Sequence, residues 1–307
     1  MAGDTQGQSR IQSSVNQVDL EARLQTSITA HSKISGVIAD VLSQSFGSTE
    51  VAVRDRLQAA IAKLPEMHAS GWYSPPPAGI GVLFAGPDNR ERSRFSSLRL
   101  EENWPKADYI FERETVGIVY VSPVDRASGA IADFGLTIYC GTDQKIQAHL
   151  RRCLEATETI AEQVTVGMQF REVYDLGERL LKQQGLHNDL MVTINDPLRG
   201  ADYGHTWPWS YQLPTEAEQA IIDRGDLAAA SELITHSRVY LNAAEEFKIP
   251  ETIAFSIEPH IGSSEDPDLP AGYFYALVVF RAGERSIFTN INPILDALDI
   301  TYMRSRF

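Results

Sequence analysis

Two cysteines in 307 residues, Cys140 and Cys153, are too few for a disulfide framework and point to free thiols in a reducing compartment. Basic charge is scarce as well. Lysine and arginine number 27 against 41 aspartates and glutamates, a formal net charge of -14, which excludes a surface built to neutralise nucleic-acid phosphates and disfavours anionic membranes. No stretch of 18 apolar residues exists, and the first residues lack both the basic region and the apolar core of a signal peptide. A cytoplasmic protein is the expectation. What is present is ordinary: 43% hydrophobic and 22% charged residues, a globular composition able to bury a sizeable core.

The first 17 residues are polar and without apolar periodicity, which predicts a disordered segment ahead of a single domain over residues 18–307. Leu20, Leu24, Ile28, Ile34, Val37, Ile38 and Val41 then recur at three, four and seven, the stripe of a long helix over 18–45. Ser48 or Thr49 caps a second helix whose stripe is Val51, Val53, Leu57 and Ile61. Three consecutive prolines, Pro75 to Pro77, break the pattern. Strands are expected at 80–84 and 109–121, with Val116 to Val121 apolar enough for a central position. Residues 130–143 suggest a hairpin or sharply bent strand. Two helices follow at 147–164 and 168–184, separated by Gly167 and stopped by Gly185. A short strand at 191–194, an aromatic loop at 200–214, a charged helical region at 215–247 and strands at 253–257, 273–281 and 287–289 complete the chain. Helices and strands alternating in blocks predict an α+β fold of two similar halves.

Candidate chemistry gathers on four residues. Asp133 and Asp143 lie ten apart, and a hairpin centred on Ile138 would set them opposite each other on one face. Two carboxylates so close repel unless a cation lies between them. His205, in the loop Gly204-His205-Thr206-Trp207, and Glu258, at a strand end stopped by Pro259, complete a carboxylate and imidazole set suited to Fe, Mn, Zn or Co. Each residue taken singly is equally a turn or loop residue with a structural hydrogen bond.

The order Asp133-Phe134-Gly135, Gly141-Thr142-Asp143, Gly204-His205 and Ile257-Glu258-Pro259 resembles the pita-bread superfamily of methionine aminopeptidase, aminopeptidase P, prolidase and creatinase. Gly47-Ser48-Thr49-Glu50 resembles the family's Gly-x-Thr-Glu, and the match covers about residues 20–290. The resemblance implies an α+β pita-bread fold, two pseudo-symmetric halves around a curved antiparallel sheet. It also implies Asp133, Asp143, His205 and Glu258 as metal ligands. The family's last metal glutamate is missing, since its stretch falls on Tyr273-Phe274-Tyr275-Ala276-Leu277. The aspartate spacing is one residue shorter than the family's, and its peptidase histidine seven residues after His205 is replaced by Gln212.

A mononuclear centre follows as the expectation, with Asp143, His205 and Glu258 as ligands and Asp133 as fourth ligand or base. His260, where the family has glycine, and Tyr211 are expected to transfer protons, and Gln212 to hydrogen-bond. The expected activity is hydrolysis or elimination on a small amino-acid-like or peptide-like substrate, and Gln212 in place of the family's histidine argues against ordinary aminopeptidase activity. A variant needs no metal, as in creatinase, and an alternative is a non-catalytic peptide- or protein-binding module. A homodimer is expected, with neither nucleic-acid nor membrane partners.

Overall fold

The computed structural model describes residues 5–189 and 202–307. Helix α1 covers Thr5–Ser43, so regular structure begins well before residue 18, where the apolar stripe starts. Thr49 accepts from the Ala52 amide and caps α2, Glu50–Ile61, whose Val53, Leu57 and Ile61 face the core. Strands β1 (Ile80–Ala85), β2 (Val116–Val121) and β3 (Phe134–Tyr139) form an antiparallel meander. All three are buried along their whole length. Residues 109–115, expected as strand, are turn and coil.

The second half repeats the scheme. Helices α3 (Gln144–Gln163) and α4 (Phe170–Gln183) pack together, and Gly167 and Gly185 take positive φ at their boundaries. Short helices α5 (Glu216–Asp223) and α6 (Leu227–His236) occupy the charged region. Strands β5 (Ile253–Ile257), β8 (Ala276–Arg281) and β9 (Glu284–Phe288) form a second antiparallel sheet. Between the halves, β4 (Leu186–Asn188), β6 (His260–Ser263) and β7 (Gly272–Tyr273) pair antiparallel, and the bridge Leu136↔Phe274 joins this group to the first sheet. Helix α7 (Asn292–Ala297) packs on α1. The α+β expectation holds. The strand expected at 191–194 lies outside the described residues, and β6 and α7 were not expected.

The hairpin expected between Asp133 and Asp143 does not form. Residues Phe134–Tyr139 run straight as β3, paired to β2 with Val121↔Phe134 and Val116↔Tyr139. An apolar run rich in aromatic and β-branched residues gains more from central pairing than from a bend. Asp143 lies beyond the far end of that strand as the N-cap of α3.

Candidate active site

Three of the four predicted ligands converge where the halves meet. His205 Nε2 lies 3.7 Å from Asp133 Oδ2 and 3.5 Å from Glu258 Oε1. Asp143 does not join them. Its carboxylate accepts from the Lys145 and Ile146 amides, and six residues of β3, about 20 Å of extended chain, separate its end of the strand from that of Asp133.

Local backbone geometry fixes the three. Gly204 has φ of 136°, and a Cβ there would stand 2.2 Å from the Ser256 carbonyl oxygen, so the close approach of the His205 loop to β5 requires glycine. The His205 amide donates to Ser256 Oγ, the Ser256 amide to the His205 carbonyl, and the Glu258 amide to the Tyr203 carbonyl. Gly135 serves the opposite wall. It pairs with Tyr120, and a Cβ on it would meet the Tyr273 ring at 2.2 Å.

Each side chain is then tied by hydrogen bonds. Trp72 Nε1 donates to Asp133 Oδ1 at 2.7 Å, the Tyr120 hydroxyl acts weakly on the carboxyl, and among the described residues the buried Oδ2 has no close hydrogen-bond partner. Ser256 Oγ donates to Glu258 Oε1 at 2.6 Å, and the Tyr273 hydroxyl donates to Oε2 at 2.7 Å. His205 Nδ1 is 3.0 Å from the Thr206 carbonyl oxygen. A carbonyl only accepts, so Nδ1 carries the proton and the Nε2 lone pair faces both carboxylates.

Burial dominates the electrostatics. It pushes the Asp133 carboxyl well above the usual carboxylate range, with the Trp72 hydrogen bond opposing and Glu258 reinforcing. Burial also raises Glu258, against the hydrogen bonds of Ser256 and Tyr273. His205 is driven well below its ordinary value by burial first and by the Arg238 guanidinium second, which keeps its imidazole neutral.

Two carboxylates and an imidazole lone pair turned toward each other are relieved either by a proton, which burial favours on both acids, or by a cation between them. Ligand atoms about 2.1 Å from one tetrahedral ion stand about 3.4 Å apart, close to both distances from His205 Nε2. The buried Oδ2 of Asp133 is the oxygen that would complete a donor set for one divalent cation. Among the described residues no group of three or more His, Cys, Asp and Glu side chains stands so that it could hold a metal ion.

The cavity in front of this cluster is lined by Tyr73, Tyr120, Arg238, His260 and Tyr273 among others. Its space free of protein atoms, open solvent at the mouth included, is about 510 Å³. His260 is buried there beside Phe95, and among the described residues neither ring nitrogen makes a close hydrogen bond, the Ser93 backbone and Asp189 Oδ2, 3.7 Å from Nδ1, being the polar groups that act on it. Burial holds the His260 pKa down to about 4, with Asp189 opposing. Tyr211 packs edge-on against Phe247 and Gln212 is exposed, so neither lines the cavity. Where the fifth acid is missing, Tyr273 holds Glu258 and the Tyr275 hydroxyl accepts from Trp207 Nε1.

Four site residues escaped the sequence reading. Trp72 sits in the proline-rich break, Tyr120 inside the most apolar strand, Asp189 after a helix stop and Arg238 in a charged region expected to be helical. Only Tyr120 carried a signal, as the polar tip in an apolar run facing the residues around Asp133.

Comparison with known proteins agrees with this architecture. The model of Metallopeptidase family M24 matches residues 105–275. The X-Pro aminopeptidase of Thermotoga maritima superposes with a TM-score of 0.54 at 12% identity, over 86% of this chain and 61% of that one. Prolidase from Pyrococcus furiosus gives 0.54 at 13% identity, over 86% and 64%. Methionine aminopeptidase from Thermotoga maritima gives 0.53 at 14% identity, over 85% and 94%. The fold is therefore the α+β pita-bread fold, and the chain spans less than two thirds of the length of the X-Pro aminopeptidase and the prolidase. No curated protein sequence matches the chain.

Proposed function

The chain belongs to metallopeptidase family M24, and from that premise we propose that it is an enzyme cleaving a small amino-acid-like or peptide-like substrate at a one-metal site. Asp133, His205 and Glu258 would hold the ion, a revision of the expected set in which Asp143 drops out and Asp133 takes its place. The observation that carries this reading is the convergence of His205 Nε2 on two buried carboxylates, one with an orphaned oxygen.

A divalent cation bound there would supply a Lewis acid and lower the pKa of a water molecule. The chain's own groups prepare the rest. The Thr206 carbonyl fixes the His205 tautomer, and Trp72 and Tyr273 hold the two carboxylates in place. His260, a neutral ring in the cavity wall, would hydrogen-bond the substrate or accept a proton from it. It keeps the part expected of it, in which Tyr211 and Gln212, away from the cavity lining, do not share.

Metal analysis of protein purified without chelator tests the proposal. One ion per chain, lost in Glu258→Ala, supports it, and two ions per chain contradict the one-metal reading. A metal-free hydrolase is the second reading, favoured by the Arg238 guanidinium, which already places a positive charge in the same cavity. Absence of metal with turnover of a dipeptide panel intact would establish that reading instead.

A further inference from the structure

The cavity in front of the His205 and Glu258 side chains is walled by rings whose polar ends are spent elsewhere. Tyr73, Tyr120 and Tyr273 all line it, with Leu98 beside them. The Tyr273 hydroxyl donates to Glu258 Oε2, the Tyr120 hydroxyl acts on the Asp133 carboxyl, and that of Tyr73 is engaged by Ser97 and Arg99. What the three residues leave for a ligand is carbon.

The rings are also held before any ligand arrives. Tyr73 stands edge-on to Trp72 and to Tyr120, with centroids 5.4 and 5.5 Å apart. Arg99 covers its ring, the Cζ 4.1 Å from the centroid, and donates to the Ser74 carbonyl. Tyr273 packs so closely on Gly135 that a Cβ there would have no room, and its centroid lies 6.2 Å from that of His260. Phe95 backs the His260 ring at 4.7 Å. Rings with few torsions, already fixed, lose little entropy when a ligand ring enters, and ring pairs attract by more than their buried area supplies.

We propose that the substrate carries an aromatic ring, which seats among Tyr73, Tyr120 and Tyr273, so that the substrate class is an aryl-bearing, amino-acid-like molecule. The assignment rests on reading the cavity as the substrate site. Two other occupants fit this wall less well. An alkylammonium is also drawn to aromatic faces, but it would share the cavity with the Arg238 guanidinium, itself held 4.2 Å over the Trp72 ring. An aliphatic chain would bury a similar area without the attraction between rings.

Isothermal titration of the full chain, as purified and after chelator treatment, compares N-acetylphenylalaninamide with N-acetylcyclohexylalaninamide and N-acetylleucinamide. All three are uncharged, so Arg238 and the acids act on them alike. The phenyl ligand is expected to bind about 5- to 100-fold more tightly than the cyclohexyl one, as two ring pairs would give, and more tightly still than the leucine amide. Tyr73→Phe should keep that ratio, because the hydroxyl is spent on Ser97 and Arg99. Tyr73→Leu should cut it by about 2- to 10-fold, the worth of one ring pair, with thermal melts reporting the fold of each variant. If Tyr73→Leu does not fold, the comparison on the unaltered chain decides alone. Equal binding of the phenyl and cyclohexyl ligands, binding of neither, or an unchanged ratio in folded Tyr73→Leu would overturn the proposal. So would tetramethylammonium binding more tightly than the phenyl ligand. A ring preference in a protein that takes up no metal keeps the aromatic site and removes the one-metal reading; metal uptake without the preference does the reverse.

Discussion

Strand β3 has an aspartate just outside each end, and the two ends have opposite environments. Asp133 is fully buried, bonded to an indole, with one oxygen unpartnered and its carboxyl held well above the usual range by burial. Asp143 is partly exposed, and its carboxylate is spent on two helix amides. The same residue type beside the same strand is a candidate ligand at one end and a helix cap at the other. The difference lies in what faces it: His205 and Glu258 from the second half of the molecule reach one end of β3, while α3 begins at the other.

Breaking the buried end should have the largest effect. Asp133→Asn should reduce metal affinity and turnover by more than the 10- to 100-fold typical of outer-shell partners, measured by metal titration and by hydrolysis of a dipeptide panel. Trp72→Phe comes next. It leaves Asp133 Oδ1 buried without a donor, and should cost about 1–3 kcal/mol in urea unfolding together with a 10- to 100-fold loss in metal affinity.

His31 extends the comparison to protons, since its ring lies 4.8 Å from that of Phe134, tilted by 32°, next to Asp133. Burial lowers its pKa to about 3, from an unfolded value near 6.5. The unfolded chain therefore binds the proton more readily. The contribution is complete above about pH 6.5 and declines as pH falls toward 3, by about 2 kcal/mol at pH 5. Unfolding by urea at pH 8 and pH 5 should show a slope in that direction, to which the buried His149, His205 and His260 add, and His31→Gln should reduce the difference by about 2 kcal/mol. The exposed end predicts least: Asp143→Ala should cost about 1 kcal/mol, as loss of a helix cap does, and leave metal binding unchanged.

Much of the fold was legible because periodicity and punctuation agree. The stripes of α1 to α4, Thr49 at its cap, and the glycines bounding α4 stand where the pattern placed them. His205 and Glu258 were legible through their glycine and proline neighbours, which the backbone requires. Asp143 was misread because Gly141-Thr142-Asp143 has the composition of a turn. The competing signal was present, an aspartate directly before the stripe of Ile146, Leu150, Cys153 and Leu154, and that N-cap chemistry prevailed. Trp72, Asp189 and Arg238 were hidden for another reason. Their roles come from partners 61, 71 and 166 positions away, Asp133, His260 and Trp72, and no local pattern records such distances.

The account turns on Asp133, and not Asp143, sharing an ion with His205 and Glu258. Metal content by mass spectrometry of wild type, Asp133→Asn and Asp143→Asn, purified in parallel without chelator, tests this most directly. One ion per chain in wild type and Asp143→Asn, with none in Asp133→Asn, is the predicted result. An ion retained in Asp133→Asn and lost in Asp143→Asn would contradict it.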